Sequence, residues 1–358
     1  MKLDITKIDK NFLAGSRIDK DDIVWVNILE EPISIRGLAV VEPGVFYRLP
    51  EPLLYEVNEG VSELGKHTAG GRIRFRTDSP YIAYRAKLLN TGSMSHFPLT
   101  GSAGTDIVVN GWSCMAYRPE QGTDTWFEGI FDIPAEAENM QGMKDVTMNM
   151  ALYNSITEGW IGIKAGSVLE APKPYRFEKP VVFYGSSITQ GGCASKPGNC
   201  FTALLAKWVD ADHVNLGFSG SGRGEQNIAD YIASLDMSVF VMDYDHNASG
   251  PEHLEKTHYR MYKTVRDKHP DLPIIMVTMP DAELMPVSRK ARRDVIYDTY
   301  ARAKAAGDDK VWFVDGKTLF GEEDRDLCTM DGVHPNDLGF YRMAKTILPA
   351  LKEALGKK

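Results

Sequence analysis

The chain has 358 residues, 43% hydrophobic and 25% charged, which excludes a disordered, collagen-like or disulfide-stapled protein. At roughly 150 residues per domain, that length favours two domains. Lys and Arg total 41 against 49 Asp and Glu, and the formal charge of -8 disfavours nucleic acid and anionic lipid as partners.

Residues Met1–Lys7 lack the apolar run of a secretory signal, and no stretch approaches the roughly 18 consecutive apolar residues of a membrane span. Cys114, Cys193, Cys200 and Cys328 form no CxxC pair. Reduced thiols in a cytoplasmic protein are therefore expected, with a short Cys193–Cys200 bridge as the one local alternative.

Up to about residue 170, short runs at Ile23–Val26, Gly44–Leu49, Gly71–Arg76, Tyr81–Ala86 and Gly104–Val109 predict closely spaced strands. Arg72, Arg74 and Arg76 alternate with Ile73 and Phe75, which places guanidinium groups on one face of a half-buried antiparallel strand and apolar groups on the other. Asn110-Gly111 and Pro119-Glu120-Gln121-Gly122 read as hairpin turns. The expectation is an all-β sandwich over residues 1–175.

Beyond the connector Ala171-Pro172-Lys173-Pro174, strands and helices alternate over 176–358. Apolar runs stand at Pro180–Gly185, Val214–Phe218, Val239–Asp243, Ile274–Val277 and Val311–Asp315, and Leu254, Met261 and Val265 recur at helical spacing between two of them. Such runs predict a parallel sheet covered on both faces, with ligands at the carboxyl ends of its strands. The basic run Arg289-Lys290-Ala291-Arg292-Arg293 reads as a solvated helix face.

At the end of the first of these strands, Gly185-Ser186-Ser187-Ile188-Thr189-Gln190-Gly191-Gly192 can expose a serine hydroxyl, making Ser187 a candidate nucleophile. Alone, the segment also fits a phosphate loop or a helix cap, but it lacks the Lys-Ser/Thr ending of a P-loop. Near the other end, Asp331-Gly332-Val333-His334 places an acid three residues before a histidine. A serine nucleophile needs such a base, and the base needs an acceptor on its second nitrogen. Two further strand ends carry Gly220, with a backbone N–H, and Asn247, with a side-chain amide; with Ser187 N–H they make three donors for one developing oxyanion. His253 and His258, five apart on a helix, point to different faces and, with His246, make no metal motif.

Taken together, these blocks resemble the SGNH hydrolases, the GDSL-like lipase and acylhydrolase superfamily, over roughly 177–358. The resemblance implies a flavodoxin-like three-layer α/β fold, a Ser187-His334-Asp331 triad, and Ser187, Gly220 and Asn247 in the oxyanion hole, with no metal or cofactor. Ser186 stands where the family has Asp, and Asp243-Tyr244-Asp245-His246-Asn247 replaces its short Gly-x-Asn-Asp block. The segment Gly104-Thr105-Asp106-Ile107-Val108 looks like the Gly-x-Asp-Leu-Tyr β domain that precedes some of these hydrolases. A jelly-roll-like β domain before an SGNH domain is similar to carbohydrate esterases that deacetylate plant polysaccharides, including mannan and xylan.

The implied partner is thus an acetylated oligosaccharide, mannan-type before xylan-type, held by the segments Met279–Val287 and Cys193–Asn199. A lipase- or thioesterase-like acylhydrolase and a non-catalytic sugar-binding protein are the rivals. Trp208 and Trp312 are expected in the core, and Trp112 and Trp160 at the surface. The role of the β domain, and whether the chain forms a homo-oligomer, are left open at this stage.

Overall fold

A computed structural model describes residues 18–90, 92–119, 125–280 and 286–356, without the side chains of 286–288. The readings made for residues 1–7, for the turn at 119–122 and for most of the segment 279–287 lie outside these residues. Twelve strands come first among the described residues. They are β1 (Ile23–Asn27), β2 (Ser34–Arg36), β3 (Val40–Glu42), β4 (Val45–Tyr47), β5 (Arg72–Thr77), β6 (Tyr81–Leu88), β7 (Thr105–Val109), β8 (Trp112–Tyr117), β9 (Trp126–Asp132), β10 (Lys144–Asn149), β11 (Ile156–Lys164) and β12 (Leu169–Glu170).

One antiparallel sheet has the order β1-β11-β6-β9, and the other runs β12-β5-β10-β7-β8 with β2 beside β5. Their inner faces share a core that includes Phe75, Ile82, Tyr84, Ile107, Val146 and Ile161. Asn110 and Gly111, at φ 47° and 83°, make the tight β7–β8 turn, a backbone that Asn and Gly tolerate best. Among the described residues three short α-helices interrupt the strands: α1 (Glu51–Glu56), started by Pro50 and Pro52; α2 (Glu59–Leu64), capped by Asn58 Oδ1 on Val61 N at 2.9 Å; and α3 (Leu99–Ser102).

The remaining chain builds β13 (Phe177–Gly185), α4 (Ser187–Gln190), α5 (Phe201–Val209), β14 (Ala211–Gly217), α6 (Gln226–Ser234), β15 (Val239–Asp243), α7 (Pro251–Lys268), β16 (Ile274–Val277), α8 (Pro286–Ala305), β17 (Val311–Val314) and α9 (Asp337–Ala354). The five strands are parallel in the order β14-β13-β15-β16-β17, the flavodoxin-like 2-1-3-4-5 winding. Alternate residues feed two cores. Val182, Tyr184, Phe240 and Met242 meet α6, α7 and α8, whereas Val181, Phe183, Val239 and Val241 meet α5 and α9. No helix among the described residues is long and apolar enough to cross a membrane.

Two expectations are corrected here. The guanidinium face of β5 is not half-exposed: Arg72 and Arg74 are 3% and 8% accessible, because α5 and the start of β14 cover that face and Asp212 pairs with Arg72. The basic run on α8 is likewise no solvated face. Arg289 is buried and donates to Pro280 O, Arg292 donates to Asp245 O and Ala248 O, and Arg293 pairs with Asp315; only Lys290 faces outward, beside Asp294.

The sandwich half also reaches into the other core. Leu49, Leu54 and Val61, on and beside α1 and α2, pack with Val182, Tyr184 and Leu216. Trp208 and Trp312 pack partly buried against the second core, Trp112 is 63% exposed, and Trp160 stacks on Trp126 at 5.5 Å. All four cysteines are free thiols.

Candidate active site

Strand β13, second in the sheet order and at the point where the winding reverses, runs directly into α4. Gly185 is required at this bend, since a Cβ there would run into Asp243 O and Thr189 Oγ1. Ser186 Oγ accepts from Ile188 N at 3.2 Å and so supplies the cap an Asp would give; the single turn closes at Gly191, in the left-handed region at φ 104°. This turn holds Ser187, 8% exposed, above the carboxyl ends of the strands.

His334 arrives from the loop before α9, with its Nε2 at 3.0 Å from Ser187 Oγ and its Nδ1 at 2.7 Å from Asp331 Oδ2. An ionised carboxylate can only accept, so Nδ1 carries the hydrogen and Nε2 is left to accept from the serine. Asp331 Oδ1 takes the backbone N–H groups of His334 and Val333 at 2.7 and 3.0 Å. Partial burial raises the Asp331 carboxyl, but these hydrogen bonds and the one from the imidazole outweigh it and hold it down at about 2. The loop is closed by a bridge between Thr329 and Pro335 and tied to α9 by Asn336, whose Oδ1 caps Gly339 N while its Nδ2 donates to Leu327 O.

The β14 loop brings Gly220 alongside, left-handed at φ 64°, with an N–H that makes no hydrogen bond among the described residues. Arg223 donates twice to Gly220 O, and Ser219 N donates to Gln190 Oε1, which fixes the turn to α4. Asn247 lies in the short turn after β15, but its amide is committed: Nδ2 donates to Phe218 O at 2.9 Å and to Gly222 O at 3.0 Å. Both amide hydrogens hold the turn that carries Gly220, so in this geometry Asn247 braces that turn. Its neighbour His246 is kept neutral, pushed down to about 3 by burial and by the Arg289 charge. His253 Nε2 meets Arg223 O while His258 Nδ1 meets Thr299 Oγ1, so the two rings serve separate contacts.

Several residues that the sequence does not advertise come from the sandwich. Tyr153 Oη donates to Ser187 O at 3.3 Å, and Gln190 Nε2 donates to Leu152 O at 3.0 Å. The loop before α3 lays His96 against His334, ring centres 6.4 Å apart, and is anchored by buried Phe97 stacked edge-on to Tyr153. Arg48, completely buried, donates to Leu64 O, His67 O, Asn215 O and Gly217 O, and burial pushes its guanidinium down to about 9. Asp106, in the segment singled out between Gly104 and Val108, accepts from Gly198 N at 2.6 Å and from Asn149 Nδ2 at 3.1 Å. Apart from Asp106, which lies in the Gly-x-Asp motif, none of these carries a spacing signal, because each acts across contacts far apart in the chain.

Residues 178–352 match the GDSL-like lipase/acylhydrolase family, and residues 23–169 match the N-terminal domain of SGNH-hydrolase-type esterases. Among solved structures, the chain is similar to a GDSL-like lipase candidate from Bacteroides ovatus, at 26% identity, TM-score 0.81, covering 94% of this chain and 99% of that one. It is similar to a salicylyl-acyltransferase from a tetracycline biosynthetic pathway at 21% identity and TM-score 0.77, with the same two coverages. A family two carbohydrate esterase from Clostridium thermocellum shares the fold at 15% identity and TM-score 0.62, covering 91% of this chain and 99% of that one. No curated protein matches significantly.

Proposed function

The chain belongs to the GDSL-like lipase/acylhydrolase family, as a serine esterase with the N-terminal domain of the SGNH-type enzymes, and from that premise we propose that it removes O-acetyl groups from acetylated plant oligosaccharides, mannan-type before xylan-type. The observation that carries the reading is the continuous line from Ser187 Oγ through the His334 ring to Asp331, at 3.0 and 2.7 Å. In this mechanism His334 Nε2 takes the Ser187 proton as Oγ attacks the acetyl carbonyl. The oxyanion is met by the N–H groups of Ser187 and Gly220. Collapse of the tetrahedral intermediate expels the sugar alkoxide, which receives its proton from His334. A water, deprotonated by the same nitrogen, then frees acetate and the serine.

The side chains of His334 and Asp331 are 27% and 41% exposed, so acid and base stand at an open surface. Such an opening suits an ester whose alcohol part is large and remains in solvent while only a small acyl group enters. The likeness to a carbohydrate esterase of the same two-domain layout supports the sugar assignment.

The test is acetate release from acetylated manno- and xylo-oligosaccharides by native protein and Ser187→Ala side by side. Release by native protein alone is expected, faster from the mannan type. Cleavage of an aryl acetate without release from either glycan would retain the esterase and discard the sugar substrate.

A further inference from the structure

Away from the triad, a cavity of about 210 Å³ lies between the outer face of the six-stranded sheet and α5. Its walls include Arg72 and Arg74 of β5, Thr147 of β10, Lys207 of α5 and His213 of β14. At roughly 30 Å³ per water in the liquid, the space exceeds what one or two buried waters need.

Arg72 is fully engaged, by Asp212, by the carbonyls of Gly70 and His213, and by the Tyr175 hydroxyl. Its Nη1 also lies 3.3 Å from His213 Nε2. A guanidinium has no lone pair to offer, so His213 Nε2 is the acceptor there. Burial and the Arg72 charge keep this ring neutral, and a neutral ring that accepts at Nε2 carries its hydrogen on Nδ1. That Nδ1–H, on a residue 2% exposed, has no partner, and neither has the Nε–H of Arg74, 8% exposed.

The charges around the cavity lean the same way. Arg74 donates to Lys173 O and stacks on Tyr175 at 3.7 Å, but it has no carboxylate partner among the described residues. Lys207, exposed at the rim, has none either. Of the nearby carboxylates, Asp212 is taken by Arg72, Asp145 by Arg76 and Lys173, and buried Asp106, which also acts on Lys207, by Gly198 N and Asn149 Nδ2, while Asp210 stands at the rim. Buried N–H groups without acceptors are costly and rare, and here two of them belong to residues that line one space, one of the two being the unneutralised Arg74 guanidinium.

We propose that this interdomain cavity is a second ligand site, for a small oxyanion of the carboxylate or phosphate class, bound by Arg74 Nε–H, His213 Nδ1–H and the Lys207 ammonium. It is independent of the ester reaction and needs no bond to form or break.

The test is calorimetric titration of the full chain with sodium acetate and, separately, inorganic phosphate at fixed ionic strength. One saturable site per chain is expected for at least one of the two, and the stronger binder identifies the source. Arg74→Met should weaken binding on the order of tenfold, the loss of one charge-assisted hydrogen bond. The exposed substitution Lys207→Gln should weaken it about threefold without endangering the fold. In parallel, the His213 Nδ1–H resonance should shift on saturation. Absence of saturable binding of both anions, or an affinity left unchanged by Lys207→Gln together with an unmoved His213 resonance, would show that the cavity holds water only.

Discussion

The two halves of the molecule divide the work unequally. The parallel sheet carries Ser187, Asp331, His334 and Gly220 on loops at the carboxyl ends of its strands, and the sandwich carries none of them. Yet the sandwich braces the serine turn and its surroundings: Tyr153 holds the carbonyl of Ser187, Leu152 holds Gln190, Asp106 holds Gly198, and Arg48 holds the end of β14. Loops are the more mobile part of an α/β fold, and here a second domain fixes the serine turn from outside. Reacting groups on one domain and their supports on another mean that damage to each should leave a different signature.

The largest effect belongs to the proposed reacting groups. Ser187→Ala or His334→Ala should lower kcat about 10^4-fold or more, with the melting temperature unchanged, in steady-state assays on an aryl acetate. Next comes Arg48→Met, which strips buried carbonyls of their donor and should cost on the order of 3 to 5 kcal/mol in denaturant unfolding. If that variant kept full stability and lost only turnover, the division between halves would fail.

A third effect comes from Asp106, whose carboxyl burial pushes up to about 6. The folded chain then holds a proton that the unfolded chain releases near 3.9, so the contribution of Asp106 to stability is full below about pH 4 and is lost as pH rises through about 6. Asp106→Asn should flatten that dependence, a difference on the order of 2 to 3 kcal/mol by pH 7, read from melting curves at a series of pH values. Asp331 has the opposite sign: depressed to about 2, it contributes stability above about pH 4 that fades as pH falls through 2, so it stays ionised across any practical acid limb of activity. The smallest effect is Tyr153→Phe. Losing one hydrogen bond to Ser187 O should reduce kcat about three- to tenfold with little change in KM or melting temperature.

Much of this division was legible in the sequence, and its gaps have physical causes. The α/β strands read correctly because a strand buried on both faces is apolar throughout, and Asp331 and His334 could be paired from the sequence because they share one turn. The arginines of β5 misled because alternation marks a polar face without saying whether water or another domain covers it; Asp212, which covers it, lies 140 residues away from Arg72. The basic run on α8 misled for the same reason, its arginines being spent on carbonyls and on Asp315. Asn247 was recognised by type and position, but the carbonyls of Phe218 and Gly222 that absorb its amide are visible only in three dimensions. Tyr153 and His96 left no trace, since a lone aromatic residue in a turn resembles any other.

Asp331 and His334, the proposed acid and base, sit three residues apart in one closed loop, whereas Ser187 is 147 residues from the histidine. The Asp331–His334 pair is therefore assembled by a local chain closure of negligible entropic cost, and a single long-range registration, the seating of α9 against the sheet, completes the site. Recovery of activity during refolding should accordingly lag the return of helical signal and coincide with burial of Phe340 and Met343, the α9 residues that lock into the core.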